Sequence, residues 1–323
     1  AEAFQKEGSP VFRNADLSED FLKKLEKYSR ILVIQSDPNG SFDRIKQIKG
    51  KNPKSCVLLR DLVRADRTKE IRSLEQAGIP TIASSDILGG AAFRYPGDHR
   101  KHIAIMISDD HYQADRWFPE LAEKWEDSQG YYCTIMHGEG TPNIHSVGEL
   151  EKADVFILYI RRLALPKDQL DQVRKYMNSG RGFIGMRTAC HGFHDKGKIP
   201  ADHENWPEFD ADVLGGNYHN HGKNKFGSDI YNVSDLQNSQ ILKGVEPVKW
   251  HSIGSLYFTD PVKKDATVYQ LGSSPEAKDV PITWTRMYGK TRVAFTALGH
   301  PEDLKEPAFH KLMINLIEWA AKK

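Results

Sequence analysis

The chain has 323 residues, with 45 basic against 44 acidic side chains, a formal net charge of +1, 39% hydrophobic and 28% charged residues. This composition suits a water-soluble globule long enough to bury a large core, and it excludes a disordered or collagen-like chain. The balanced charge speaks against nucleic acid or an anionic membrane surface as partner, because either favours a clear basic excess.

In chain order, residues 1–96 show a weak alternation of elements. Helices are expected over Ser18–Tyr28 and Thr68–Ala77, and strands over Ile31–Gln35, Cys56–Leu59 and Pro80–Ala83. Residues 1–97 therefore read as an N-terminal extension, a small α/β subdomain, divided from residues 98–323 by the polar, turn-rich run Arg94–Lys101. Ala1 opens the chain without a charged and then apolar leader, so an exported protein whose signal peptide has been removed is favoured over a cytoplasmic one. No apolar run reaches the length of a membrane-spanning helix.

From His102 the pattern sharpens. The short apolar run His102–Ser108 reads as a buried parallel strand. A helix is expected over Gln113–Gln129, where Trp117, Leu121 and Trp125 recur on one face. The strand Tyr131–Met136, a short helix over Val147–Lys152 and the strand Asp154–Ile160 follow. Pro166 opens a further helix, which runs to about Asn178 and is closed by Gly180; Gly182–Met186 is the next strand. Repeated strand–helix units of this length imply a parallel sheet covered by helices.

After Arg187 the rhythm changes. Residues 190–224 are irregular and rich in Gly, His, Asn and Trp, with one helix-like piece near Pro207–Leu214. So long an irregular stretch is functional or disordered, and its aromatic content argues for function. Strands are expected over Asp229–Val233, Ser255–Phe258, Thr267–Leu271, Ile282–Tyr288 and Arg292–Ala297, with a hairpin turn at Tyr288–Thr291 and a closing helix over Pro307–Ala321.

Several segments carry candidate chemistry. The run Gly182–Phe193 ends a strand in small residues and presents Arg187 at a sharp turn, where a nucleophile elbow would place its nucleophile. A guanidinium is a fixed cation and cannot be a nucleophile. Arg187 either braces the loop through a carboxylate (Asp109, Asp110 or Asp195) or points its fork into a cleft toward a ligand oxygen, and the second reading is favoured. Cys190, three residues on, is a candidate thiolate or a packed small residue. Cys56 and Cys133 lie in apolar runs, and three cysteines make no disulfide framework.

His219 and His221 flank one residue, a spacing that can chelate zinc if His191, His251 or His300 completes the set. No cofactor is otherwise indicated. Asp109, Asp110, Arg187 and His300 all follow expected strands, and ligands of parallel α/β sheets sit beyond such ends. Asp109-Asp110 reads equally as a helix cap. Trp206, Tyr218, Trp250 and Tyr257 offer aromatic faces of the kind that pack on sugar rings, or that simply fill a core. Glycine-rich phosphate loops are absent.

Across residues 102–321 the sequence resembles the ThuA-like (trehalose-utilization) family, a bacterial group among others. The likeness is most specific over Pro281–Asp303, Pro307–His310 and Asn315–Trp319, with Trp206–Phe209, Leu214–Gly216 and His221 in the centre, and Ser108–Tyr112 and Asp154–Arg162 as opening strands. It does not reach residues 1–96. Many members have histidine where this chain has Arg187.

The resemblance implies a flavodoxin-like, class I glutamine amidotransferase-like three-layer sandwich with a mostly parallel central sheet, and a link to disaccharide catabolism. On that basis the expected function is a carbohydrate-processing protein acting on a keto-sugar or disaccharide-derived intermediate by acid–base chemistry. His300 or His221 would be the proton-transfer group, and Arg187 would hold a developing oxyanion. Asp109, Asp110, His191, Trp206, Tyr218 and His219 would bind the ligand. The alternatives are a non-catalytic carbohydrate-binding protein and an amidase-type hydrolase using Cys190. The expected partner is a small carbohydrate, with a homo-oligomer also open.

Overall fold

The computed structural model describes the strands at 32–35, 56–59 and 81–83 and residues 99–322, apart from 110, 139–141, 143 and 145. The expected helices Ser18–Tyr28 and Thr68–Ala77, and the boundary near residue 97, lie outside the described residues. The early strands Leu32–Gln35, Cys56–Leu59 and Thr81–Ala83 pair in parallel in that order.

The main sheet has nine strands: β1 (His102–Ser108), β2 (Tyr132–His137), β3 (Val155–Ile160), β4 (Gly182–Met186), β5 (Ser228–Asn232), β6 (Lys249–Ser252), β7 (Thr267–Ser274), β8 (Ala277–Tyr288) and β9 (Thr291–Thr296). Their spatial order is β6-β5-β7-β8-β9-β4-β3-β1-β2. The pairs β2/β1, β1/β3, β3/β4 and β4/β9 are parallel. These five strands follow the flavodoxin-like order 2-1-3-4-5, with β9 in fifth place. The remaining strands extend the sheet as an antiparallel arm through the β8/β9 hairpin.

The expected strands at 102–108, 131–136, 154–160 and 182–186 are all present and mutually parallel. Every residue of β1 to β4 is buried. Continuous burial without alternation means that both faces are covered, as parallel sheets require. Helix α1 (Ala114–Gln129) packs on β1 and β2, and α3 (Pro307–Ala320) on β4 and β9; α2 (Lys167–Met177) joins β3 to β4. The apolar face read from the sequence of α1 is the buried one, since Trp117, Leu121 and Trp125 are 6%, 2% and 1% exposed.

Two local expectations are corrected. The strand expected over Ser255–Phe258 shrinks to Tyr257–Phe258, which bridges Asn220–His221 away from the main sheet. Strand β6, not expected from sequence, forms instead just before it. Its alternating exposure (Lys249 and His251 out, Trp250 and Ser252 in) marks a half-buried edge strand.

The contact between β4 and α3 is close. A Cβ on Gly182 would stand 2.3 Å from the backbone oxygen of Ala320 and 2.6 Å from its carbonyl carbon. Backbone of a packed helix cannot swing aside as a side-chain tip can. Gly182→Ala is therefore expected to cost about 1–3 kcal/mol by overpacking, read as a lower urea midpoint at unchanged slope. An unchanged midpoint would mean that the helix shifts without penalty.

Candidate functional site

Parallel strands that share one sheet end on one edge, and the residues just past β1, β3, β4 and β9 build the site there. Two of these turns are strained. Arg162, after β3, has φ +52°, and Arg187, after β4, has φ +42°. Left-handed backbone at a non-glycine residue costs about 1–2 kcal/mol and concentrates at functional sites. The sharp turn expected after Gly182–Met186 is present, followed by a short 3-10 turn over Arg187–His191.

Arg187 is the centre of the arrangement. It is 2% exposed. Its guanidinium carbon lies 4.5 Å from the ring centre of Tyr112 and 4.6 Å from that of Tyr257. Nη1 donates to the Ala297 carbonyl at 3.0 Å and Nη2 to the Tyr112 hydroxyl at 3.2 Å. The two tyrosine hydroxyls are 3.4 Å apart.

Neither sequence reading of Arg187 describes this. Among the described residues it forms no ion pair, with Asp109 or Asp195 or any other carboxylate, and its fork is occupied by protein rather than open to the cleft. Phenol faces and a carbonyl hold the cation where a carboxylate was expected. The close approach also needs Gly254, since a Cβ there would stand 3.1 Å from Arg187 Nη1 and 3.0 Å from His300 Cβ. A cavity of about 10 Å³ beside it, room for one water, is lined by Arg187, Ser228, Ser252, Ser255 and Tyr257 among others. The buried Arg187 Nε and Ser255 hydroxyl find no partner among the described residues.

His300 caps the short turn Pro301–Lys305. Its Nδ1 accepts from the Glu302 backbone N–H at 3.2 Å. An amide can only donate, so the proton of the neutral ring sits on Nε2. Burial, and then the Arg187 charge, lower its pKa, which favours the neutral ring. Buried Asp303 fixes the turn: it accepts from the Ser252 hydroxyl at 2.5 Å and from the Gly299 and His300 N–H groups at 2.9 Å each. The His300 ring is 5.9 Å from Tyr112.

His221 is exposed, with its ring 6.1 Å from Tyr257. Its Nδ1 lies 2.8 Å from the Gly222 carbonyl. A carbonyl can only accept, so in the neutral ring Nδ1 carries the proton and Nε2 keeps a lone pair. The two histidines thus hold opposite tautomers.

His219, also exposed, donates to the Asn217 carbonyl at 3.0 Å. No group of three His, Cys, Asp or Glu side chains able to hold a metal occurs among the described residues. His251, a possible third ligand by sequence, instead meets Asp229 at 2.8 Å on the edge strands.

His191 stacks on Tyr218 at 4.6 Å and lies 6.0 Å from Tyr257. Burial, then the charges of Arg162 and Arg161, push its pKa down to about 3, so it is neutral. The Cys190 thiol donates to the Arg187 carbonyl at 3.1 Å, and burial drives its pKa well above the usual thiol range. A buried, protonated thiol is a poor nucleophile, and the neighbour the amidase reading would use, His191 Nδ1 at 3.3 Å from Sγ, is a weak base because its pKa is lowered. Cys133 is buried in β2 as expected; of Cys56 only the backbone is described.

Asp109 is buried at the end of β1. One oxygen accepts from the His111 N–H at 2.9 Å and the other has no partner among the described residues. Desolvation raises its pKa, opposed by backbone N–H groups and Arg161. Asp110 lies outside the described residues. Trp206 packs elsewhere, against Phe209, Phe193 and the Arg174 guanidinium, where it ties the irregular segment to α2.

The structure thus gathers Arg187, His191, Tyr218, His221 and His300 around Tyr112 and Tyr257. Sequence reasoning missed Tyr112 as a hub, and Arg161 and Arg162 altogether. Their one signal was position, directly after the strands β1 and β3.

A family model described as trehalose utilisation, ThuA, matches residues 109–320. A solved structure described as ThuA-like, from Bacteroides uniformis, has a TM-score of 0.53 at 18% identity, covering 72% of this chain and 95% of that one. Another described the same way, from Parabacteroides merdae, has a TM-score of 0.49 at 15% identity, covering 69% of this chain and 90% of that one. At 18% identity the first of these likenesses speaks to the fold alone. No curated protein sequence matches.

Two outcomes follow from this geometry. Arg187→Lys keeps a charge but loses the flat faces and the fork, so unfolding in urea should show a loss of about 2 kcal/mol or more; a Lys variant of parental stability would remove Arg187 from its bracing position. His191 has a folded pKa below its unfolded one, so the unfolded chain binds more protons between about pH 6.5 and 3. Stability from this residue is complete above that window and is lost as pH falls through it. His191→Phe keeps a ring for stacking on Tyr218 and removes the proton site. Its melting temperature should fall less between pH 7 and pH 4 than that of the parent; equal falls would contradict a buried neutral His191.

Proposed function

The chain belongs to the ThuA trehalose-utilisation family, and from that premise we propose that it processes a keto-sugar or disaccharide-derived intermediate by proton transfer at a carbon next to a carbonyl. The observation that carries this reading is the pair of opposite histidine tautomers on either end of a tyrosine pair. His221 offers an unprotonated Nε2 beside Tyr257, and His300 offers an Nε2–H beside Tyr112. One is set up to take a proton and the other to donate a hydrogen bond, the division of labour that acid–base catalysis requires.

The chemistry would run as follows. A sugar ring lies against the half-buried ring of Tyr218, as apolar sugar faces do on aromatic rings. His221 Nε2 removes the proton from carbon. His300 Nε2–H, or the Tyr112 hydroxyl, supplies a hydrogen bond to the carbonyl oxygen as negative charge builds there. Arg187 Nη2 already donates to the Tyr112 oxygen, so the phenol's own proton must point away from the arginine. Accepting that hydrogen bond polarises the Tyr112 hydroxyl, which makes it a better donor. Arg187 acts in this scheme as a positioning residue.

The test is proton exchange. A keto-disaccharide incubated with the protein in heavy water should lose the NMR signal of the hydrogen next to its carbonyl, and His221→Gln should slow that loss by about 100-fold or more while leaving binding intact. Binding without exchange in the parent protein would instead establish a non-catalytic carbohydrate-binding protein.

A further inference from the structure

Two guanidinium groups in the site are used by neither the fold nor the chemistry above. Arg161 and Arg162 follow β3 directly and are half-buried. They stand where the chain order of the sheet reverses, β2 lying on one side of β1 and β4 on the far side of β3, the place at which such sheets bind ligands. Their backbone is pinned from both neighbours. Arg161 N–H donates to Ser108 at 3.1 Å, Arg162 N–H to His191 at 3.2 Å and Leu163 N–H to Gly192 at 2.7 Å. Arg162 pays for this position in strain, at φ +52°.

Among the described residues neither guanidinium forms an ion pair or a side-chain hydrogen bond. Their charges are felt inside the cleft: Arg161 acts on Asp109 and His191, and Arg162 on His191, Cys190 and Tyr218. The nearby carboxylates Asp109 and Asp210 each leave one buried oxygen without a partner among the described residues, yet neither forms an ion pair with these guanidinium groups. Asp109 accepts from the His111 N–H, Asp210 from the Tyr218 N–H, and Asp303 from Ser252, Gly299 and His300. Together with the buried Arg187, this end of the sheet carries three guanidinium groups and, among the described residues, no ion pair to any of them. Adjacent like charges, partly removed from water, repel and lose hydration, and an oxyanion held by their forks would offset both costs.

We propose that Arg161 and Arg162 form a subsite for an oxyanion carried by the sugar, so that the ligand of this cleft is a sugar acid or a sugar phosphate rather than a neutral sugar. This inference rests on the carbohydrate reading of the cleft, and the experiment separates the two. Glucose, glucuronate, glucose 6-phosphate and inorganic phosphate are each titrated calorimetrically into the parent protein and into the double variant Arg161→Gln/Arg162→Gln, with thermal melting to confirm that the variant folds.

The expected result is at least about tenfold tighter binding of one or both anionic sugars than of glucose, lost in the double variant while glucose binding is unchanged. Glucuronate against glucose 6-phosphate then decides between carboxylate and phosphate. Glucose binding as tightly as its two anionic relatives, or a double variant that keeps the preference, would overturn the subsite and leave the carbohydrate reading standing. Inorganic phosphate binding as tightly as glucose 6-phosphate would show an adventitious ion only and overturn it too. Failure of all three sugars would overturn both readings.

Discussion

The site depends on one unusual interaction, a buried guanidinium held against two phenol rings with no ion-paired carboxylate among the described residues. Taking Arg187 out of water would cost several kcal/mol if nothing replaced its hydration. The faces of Tyr112 and Tyr257, the Ala297 carbonyl and the Tyr112 hydroxyl replace it. In return the cation fixes elements far apart in the chain: the turn after β1, the loop after β6 and the end of β9. Because a cation attracts a ring face from several angles, the tyrosines are positioned without being locked as an ion pair would lock them, and their hydroxyls meet each other at 3.4 Å.

Around that centre the structure assigns proton positions by backbone chemistry. His300 meets an amide and His221 a carbonyl, so the same side chain is given opposite tautomers by what its Nδ1 touches. His191 differs again, since burial among arginines keeps it neutral and leaves it to pack. The strained turns at Arg162 and Arg187 set where these groups stand. Strain of that kind persists only where surrounding packing over-determines the backbone, and the fully buried strands β3 and β4 supply that packing.

Much of the fold was legible because buried parallel strands are written as unbroken apolar runs, and His102–Ser108 and Val155–Ile160 have the length of strands rather than helices. Strand β6 was not, because Lys249 and His251 face water and break the run, while the short pairing of Tyr257 with His221 has no period to detect. In the site, histidines drew attention by type. Tyr112 did not, because it lies in a turn after the strand and owes its place to Arg187, 75 residues away. The partners of Arg187 were misjudged for a related reason. Sequence suggests charge partners for a buried cation, whereas ring faces and carbonyls become partners only once the chain has folded.

The position of β9 has a consequence for how the molecule comes into being. This strand is nearly the last in the chain, yet it lies between β4 and β8 and joins the parallel half of the sheet to the antiparallel arm. During synthesis the parallel half can assemble as its strands emerge, but the arm has nothing to dock on until β9 is made, and Tyr257 and His300 reach Arg187 only then. Contacts between such distant segments are slow to form, and until they do the growing chain exposes the flank of β4 as an open edge. A chain stopped before Thr291 would lose the seam of its sheet together with Ala297 and His300, two of the groups gathered around Arg187.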